Sequence, residues 1–331
     1  IYCEASLSCH IAQPRLFITI WALMKIAYES TIKFQKHHLE RLRKSGNVQI
    51  YEFGCDKNKF FGIVRDAEVI IGNKWFFNEL LPKLKAKLIA LCSTGCDLVD
   101  LNKCRELGIA VTNVPAYSTN SVAEAAIALL LELTKRLKYQ RESYDKGKWA
   151  YDLDFLTELA NKTFGIIGFG SIGEKVAQIA SAMDMKILVY TRTPKKDEFP
   201  KYNFVSMEKL LKNSDFVSIH VPLDESTRHL IGKKEFEMMK KSAYIINAAR
   251  GAVIDEDAMA DAIKKGKIAG AGLDVFSKEP LPLESELAKL KNVVITPHTA
   301  FYTTEALERL YTACIANIED FLARKATNRV V

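Results

Sequence analysis

The chain has 331 residues, 48% hydrophobic, 26% charged and 10% aromatic. That composition excludes a disordered, collagen-like or disulfide-stapled protein and leaves room for one or two domains with their own cores. Lys plus Arg is 47 against 40 for Asp plus Glu, a net charge of +7, and with no basic, aromatic-interleaved segment this points away from nucleic acid.

Residues 1–23 read as an extension foreign to the fold, with a genuine extra segment packed on the surface as the bland alternative. Their apolar stretch, Leu16 to Leu23, is too short to span a bilayer, so no membrane partner is expected, and the segment lacks the parts of a signal peptide. The functional protein is expected to begin at Met24, where Met24-Lys25-Ile26-Ala27-Tyr28 reads as a first strand. Further strands are expected at Val48–Tyr51, Val69–Ile71, Leu88–Leu91 and Ala110–Val111. Helical spacing covers Lys33 to Lys44 and Asn78 to Lys87. A long Ala/Leu-rich helix is predicted from Thr119 or Asn120 to Lys138, opened by the cap candidates Ser118-Thr119-Asn120-Ser121. A second series follows: strand Lys162–Gly168, helix Ile172–Met183, strand Lys186–Tyr190. Strands at Phe216–His220, Ala243–Asn247, Ala269–Val275 and Val293–Thr296 come next, and a helix from about Thr303 to Arg324 ends the chain. Strands alternating with helices imply α/β architecture: two doubly wound, Rossmann-like units with parallel sheets. The second is inserted into the first if the last helix returns.

Seven cysteines, an odd number without a CxxC pair, read as free thiols in a reducing cytoplasm. Cys92 and Cys96 stand four apart, but no His or Cys cluster completes a zinc site, so no metal is expected.

The sharpest local signal is Gly165-Ile166-Ile167-Gly168-Phe169-Gly170-Ser171-Ile172-Gly173. This G-x-G-x-x-G follows an apolar strand and opens a helix, as a dinucleotide-binding turn requires. Gly168 permits the turn, Gly170 admits a pyrophosphate, and Gly173 lets the helix approach the strand. A glycine turn without nucleotide is the bland alternative. At the end of the next strand, where an acid would hold the 2′-hydroxyl of NAD, stand Thr191 and Arg192, with Lys195 and Lys196 behind. A hydroxyl and cations suit a 2′-phosphate and favour NADP. An exposed basic loop with NAD bound less tightly is the alternative.

Three late segments end strands, where doubly wound folds bind ligands: Ile246-Asn247-Ala248-Ala249-Arg250-Gly251, Leu273-Asp274 to Glu279-Pro280, and Ile295-Thr296-Pro297-His298-Thr299-Ala300. Arg250 would grip a carboxylate with its planar fork. His298 would exchange a proton with the substrate oxygen, and Glu279 would hold the imidazole and favour its charged form. Each has a bland reading alone: a loop salt bridge, a helix-entry acid, a capped core histidine.

Together with Ser93-Thr94-Gly95, Val99-Asp100-Leu101 and Val114 to Glu124, these segments make the chain from Met24 onward resemble the D-isomer-specific 2-hydroxyacid dehydrogenases. The resemblance implies Arg250 as substrate clamp, His298 as acid/base, Glu279 as its partner, and backbone amides at Thr94 and Gly95 on the substrate carboxylate. It also implies Asp274 near the nicotinamide amide and places Ser171, Ile172, His220, Pro222, Thr227 and Ala248 along the cofactor. A substrate domain from residues 24–121 and 298–331, a nucleotide domain from 122–297 and a homodimer are implied likewise. Asn73-Lys74, Thr94-Gly95, Tyr117 to Ala123 and Gly147-Lys148-Trp149 look like hydroxypyruvate or glyoxylate reductases (glycerate dehydrogenases), whereas His298-Thr299-Ala300-Phe301-Tyr302-Thr303 looks more like D-lactate dehydrogenases. The short stretch after His298 is expected to exclude the long form of phosphoglycerate dehydrogenase. An NAD-sensing, corepressor-like scaffold is the distant alternative, and it would be expected to carry long flexible tails.

Overall fold

Short apolar runs such as Val69–Gly72, Leu88–Leu91 and Phe216–Ile219 are buried along their whole length and build inner strands, whereas the runs Asn47–Tyr51 and Val293–Ile295 are partly exposed. The computed structural model describes residues 24–331 except 53, 73–77, 98, 153 and 195–196. The 1–23 extension, Asn73-Lys74 and Lys195-Lys196 lie outside the described residues. The chain divides into two units. One comprises everything described up to Tyr117 together with Glu308–Val331, and the other is Ser118–Leu307.

Unit 1 holds β1 (Lys25–Glu29), β2 (Asn47–Tyr51), β3 (Val69–Gly72), β4 (Leu88–Leu91) and β5 (Ala110–Thr112), all parallel in the order β2-β1-β3-β4-β5. Every residue of Val69–Gly72 and Leu88–Leu91 is buried, as a sheet covered on both faces demands. Unit 2 holds β6 (Thr163–Ile167), β7 (Lys186–Tyr190), β8 (Asn203–Phe204), β9 (Phe216–Ile219), β10 (Tyr244–Asn247), β11 (Gly270–Leu273) and β12 (Val293–Ile295). These run parallel in the order β12-β11-β10-β9-β6-β7-β8. The order reverses at the β9/β6/β7 centre, so the glycine turn after β6 lies at the switch point where such sheets bind ligands.

Three expectations are corrected. Asn78–Lys87 is not an α-helix: Asn78–Lys83 forms a 3-10 helix, since Pro82 cannot donate to a continuing α-helical ladder. The long helix ends earlier, as Thr119–Lys135, because Arg136 turns left-handed at φ 51° and a separate helix, Leu137–Tyr144, follows. The helix predicted from Lys33 starts at Lys36, where the Gln35 N–H donates to His38 Nδ1 at 3.2 Å across its first turn. Among the described residues, no helix is long and apolar enough to cross a membrane.

Candidate active site

Four segments of unit 2 meet where β6, β10, β11 and β12 end. Ile172 from the glycine turn, Ala248 after β10, and Ala300 and Phe301 after β12 share one small apolar cluster with Val122 and Ala125. The turn at Arg250–Gly251 presses so closely on the segment after β11 that a Cβ on Gly251 would stand 1.9 Å from the Phe276 carbonyl carbon. The stretch bearing Arg250 therefore lies directly against the stretch that leads to Glu279.

The structure brings His298 and Glu279 together. His298 Nδ1 lies 2.6 Å from Glu279 Oε2, while Glu279 Oε1 accepts the Phe276 N–H at 3.1 Å. The acid is held at one oxygen and holds the imidazole with the other. His298 itself sits at φ 55°, a left-handed conformation that costs a residue with a Cβ and persists only when its surroundings enforce it. Asp274 enforces it. Its carboxylate is buried and accepts from Thr296 Oγ1 at 2.6 Å, Thr299 N–H at 2.8 Å and Ala300 N–H at 3.0 Å, while its carbonyl accepts the His298 N–H at 2.8 Å. The whole Thr296–Ala300 turn wraps one buried acid. The His298 ring also meets Phe301 edge to face, centroids 5.9 Å apart.

The glycine turn fits a dinucleotide. Gly168 has φ 93°, and a Cβ there would stand 2.5 Å from the His220 carbonyl oxygen; one on Gly173 would stand 2.2 Å from that of Gly168. Gly170 by contrast faces open space, directly before a helix (Ser171–Ala182) whose first turn no side chain caps. Uncapped N–H groups at a helix start are where a pyrophosphate is held. Ser171 is exposed, its Oγ 3.5 Å from that of Thr119. Past β9, Thr227 is buried; its hydroxyl donates to the Pro222 carbonyl at 2.7 Å and accepts the Asp224 N–H at 2.8 Å, shaping the 222–227 loop. His220 Nε2 lies 2.8 Å from Ser218 Oγ, and desolvation lowers the imidazole from 6.5 to about 4, so it is neutral at pH 7.

At the β7 end, Arg192 donates to Ser226 Oγ at 3.2 Å, and its guanidinium lies 3.7 Å from Asp224. Asp224 is held below the usual carboxylate range, first by its hydrogen bond from the Ser226 hydroxyl.

A family model described as D-isomer specific 2-hydroxyacid dehydrogenase, NAD binding domain, matches residues 127–300. The chain is 44% identical over 266 residues to glyoxylate reductase of Thermococcus litoralis, covering 77% of this chain and 80% of that one. The chain belongs to the D-isomer-specific 2-hydroxyacid dehydrogenase family. Hydroxypyruvate reductase of Thermotoga maritima is 36% identical over 280 residues, 83% of this chain and 91% of the relative. Among solved structures, D-lactate dehydrogenase from Aquifex aeolicus, complexed with NAD and lactic acid, superposes with a TM-score of 0.83 at 34% identity, covering 92% of this chain and 99% of that one. As a member of this dehydrogenase family, the protein is an oxidoreductase that acts on the CH–OH group of small 2-hydroxy acids with a nicotinamide cofactor.

Within that family frame, Thr94 and Gly95 lie in unit 1, in a loop whose carbonyls are tied: Asn113 Nδ2 donates to the Thr94 carbonyl at 2.7 Å and Ser93 Oγ to that of Gly95 at 2.8 Å. Sequence reasoning missed Asp224 and Ser226 as partners of Arg192, because they lie more than 30 residues beyond it on another strand end. It also missed the hold of Asp274 on the His298 turn, for which the acid at a strand terminus was the single legible sign.

Proposed function

We propose that the enzyme reduces glyoxylate and hydroxypyruvate to glycolate and D-glycerate, with NADPH preferred to NADH. The observation that carries the reading is the 2.6 Å bond between His298 Nδ1 and Glu279 Oε2, which leaves His298 Nε2 as the proton-transfer atom. Arg250 grips the substrate carboxylate by a two-pronged, charge-assisted contact, and the backbone amides at Thr94 and Gly95 are, by the family resemblance, carboxylate-binding groups. When bound, a reduced nicotinamide supplies a hydride to the carbonyl carbon. His298 gives the carbonyl oxygen its proton as negative charge builds there, and Glu279 stabilises the imidazolium before the proton leaves. In the reverse direction His298 takes the proton from the hydroxyl. Ser171, Ile172, Gly173, His220, Pro222, Thr227 and Ala248 line the cofactor, with Thr191 and Arg192 at its ribose end. The two relatives named for glyoxylate and hydroxypyruvate support the substrate class.

A second substrate reading, pyruvate to D-lactate, is favoured by the aromatic pair that follows His298. Phe301 packs on the imidazole, and Tyr302 is about half exposed beside it. A reducing, cytoplasmic setting fits the five described cysteines, all of them free thiols.

Arg192 supports NADPH, since a guanidinium pairs strongly with a 2′-phosphate. Its present partner Asp224 tempers that preference. The test is oxidation of NADPH and NADH against glyoxylate, hydroxypyruvate and pyruvate. Expected are a lower KM for NADPH, a preference that shrinks with salt, and reversal in Thr191→Asp/Arg192→Ala. A wild type that prefers NADH by about tenfold, roughly 1.4 kcal/mol, overturns the cofactor assignment, and higher kcat/KM for pyruvate overturns the substrate assignment.

A further inference from the structure

We infer that Asn247 is the positioning residue of the Arg250 clamp. It touches neither substrate nor cofactor and sets instead the backbone turn from which the guanidinium reaches. The inference rests on the reading of Arg250 as the carboxylate-gripping group.

Asn247 is the last residue of β10, 1% exposed, and a carboxamide buried so deeply must spend its hydrogen-bonding capacity inside the protein. It spends it on one turn. Oδ1 accepts the Ala249 N–H at 3.0 Å, and Nδ2 donates to the Arg250 carbonyl at 2.9 Å. The side chain thus spans the two-residue segment Ala249–Arg250, from the N–H that enters it to the carbonyl that leaves it, an Asx-type closure with a second prong. The Asn247 backbone carbonyl meanwhile accepts the Asp274 N–H at 2.9 Å, so the turn that carries Arg250 and the acid that holds the His298 turn hang from neighbouring strand ends. Arg250 Nη1 folds back on the Ala249 carbonyl at 2.9 Å, so the Ala249 carbonyl is one of the groups that hold the guanidinium in place.

Only Asn meets these demands. Asp lacks the donor for the Arg250 carbonyl and buries a charge. Gln reaches one methylene too far for a contact two residues along. Ser retains an acceptor for the Ala249 N–H but cannot reach the Arg250 carbonyl. Ala leaves both backbone groups unsatisfied. A clamp displaced by about 1 Å loses much of its binding advantage, although no residue that touches substrate has changed.

Asn247→Ala and Asn247→Ser are compared with wild type, each alone and each combined with Arg250→Ala. Three quantities are read: kcat and KM for the 2-oxo acid, affinity for oxalate as an unreactive carboxylate probe, and affinity of the free enzyme for NADPH. Expected is a rise in KM and a loss of oxalate affinity of about tenfold or more in the Arg250 enzyme, and less than about twofold in the Arg250→Ala background. NADPH affinity stays within about twofold throughout. Equal losses in the two backgrounds, or a matching loss of NADPH affinity, show that Asn247 merely stabilises the fold and overturn the inference alone. If Arg250→Ala itself leaves KM and oxalate affinity unchanged, the clamp reading falls and the inference with it. If the Ala variant does not fold, the Ser variant, which keeps one of the two bonds, carries the same comparison.

Discussion

His298 is costly to hold in its conformation and needs its neighbours. Its positive φ, the Glu279 bond on Nδ1 and the Asp274 turn beneath it all fix one ring orientation. Arg250 is held from its backbone side in a comparable way. His298→Ala and Arg250→Ala are each expected to lower kcat/KM for reduction by at least about 100-fold, read from initial rates; near-native activity in either removes its assigned role. The types of these residues were legible in sequence because a cation, an acid and an imidazole at strand ends suit one chemistry. What holds them was not legible, since Asp274 acts on residues more than 20 positions away and that distance closes only when β11 and β12 pair. His220 adds a titratable consequence. Burial lowers it from 6.5 to about 4, so the folded chain binds this proton more weakly than the unfolded one. The stability that follows is complete above pH 6.5 and is lost as pH falls toward 4, on the order of 3 kcal/mol in all. His38 is lowered as well, chiefly by desolvation, and acts in the same direction. Denaturant midpoints between pH 7 and 4.5 are expected to fall less steeply in His220→Gln than in wild type. Parallel slopes count against burial of a neutral His220.

Among elements, the strands were the most legible. Leu88–Leu91 and Lys186–Tyr190 stand where the apolar runs placed them, because a short buried run flanked by polar residues has few alternatives in a parallel sheet. The glycine turn was legible for a related reason, its demands being local to Gly168–Gly173. Helix ends were less so. Arg136 ends a helix by turning left-handed although Leu137 continues in helical form beyond it, and no glycine or proline marks the break. The contact between Gly251 and Phe276 left no sign in sequence spacing, yet it joins the element bearing Arg250 to the one bearing Glu279. A methyl group at Gly251 meets backbone atoms on the far side, with the Ser277 nitrogen at 2.3 Å. Gly251→Ala is therefore expected to cost about 1–3 kcal/mol of stability, the range for overpacking a filled site, and to lower kcat/KM by separating Arg250 from Glu279. Urea midpoints and rates measured on the same preparation check both. Unchanged stability means that the close approach does not persist in solution.

At the scale of the whole molecule, one stretch of unit 2, residues 137–156, gathers exposed apolar side chains. Leu137, Tyr144 and Trp149 are 61–70% exposed, and Tyr151 and Phe155 are fully exposed. Apolar side chains of this size gathered in one stretch mark an interaction surface more often than a solvated one. Among the described residues, the remaining large apolar side chains with comparable exposure are scattered singly. A homodimer is therefore proposed, with this stretch as the buried surface. Two copies meeting on the same patch would satisfy the self-complementarity of a two-fold interface. Light scattering on the 37.3 kDa chain is expected to give twice the chain mass at micromolar concentration, and Tyr151→Glu with Phe155→Glu to reduce it to one chain. Neither residue belongs to the proposed active site, so the variant reports on assembly, and its melting temperature should lose the concentration dependence that a dimer shows. A wild type that runs as a monomer at every concentration would leave the patch without a partner of its own kind and overturn the assignment.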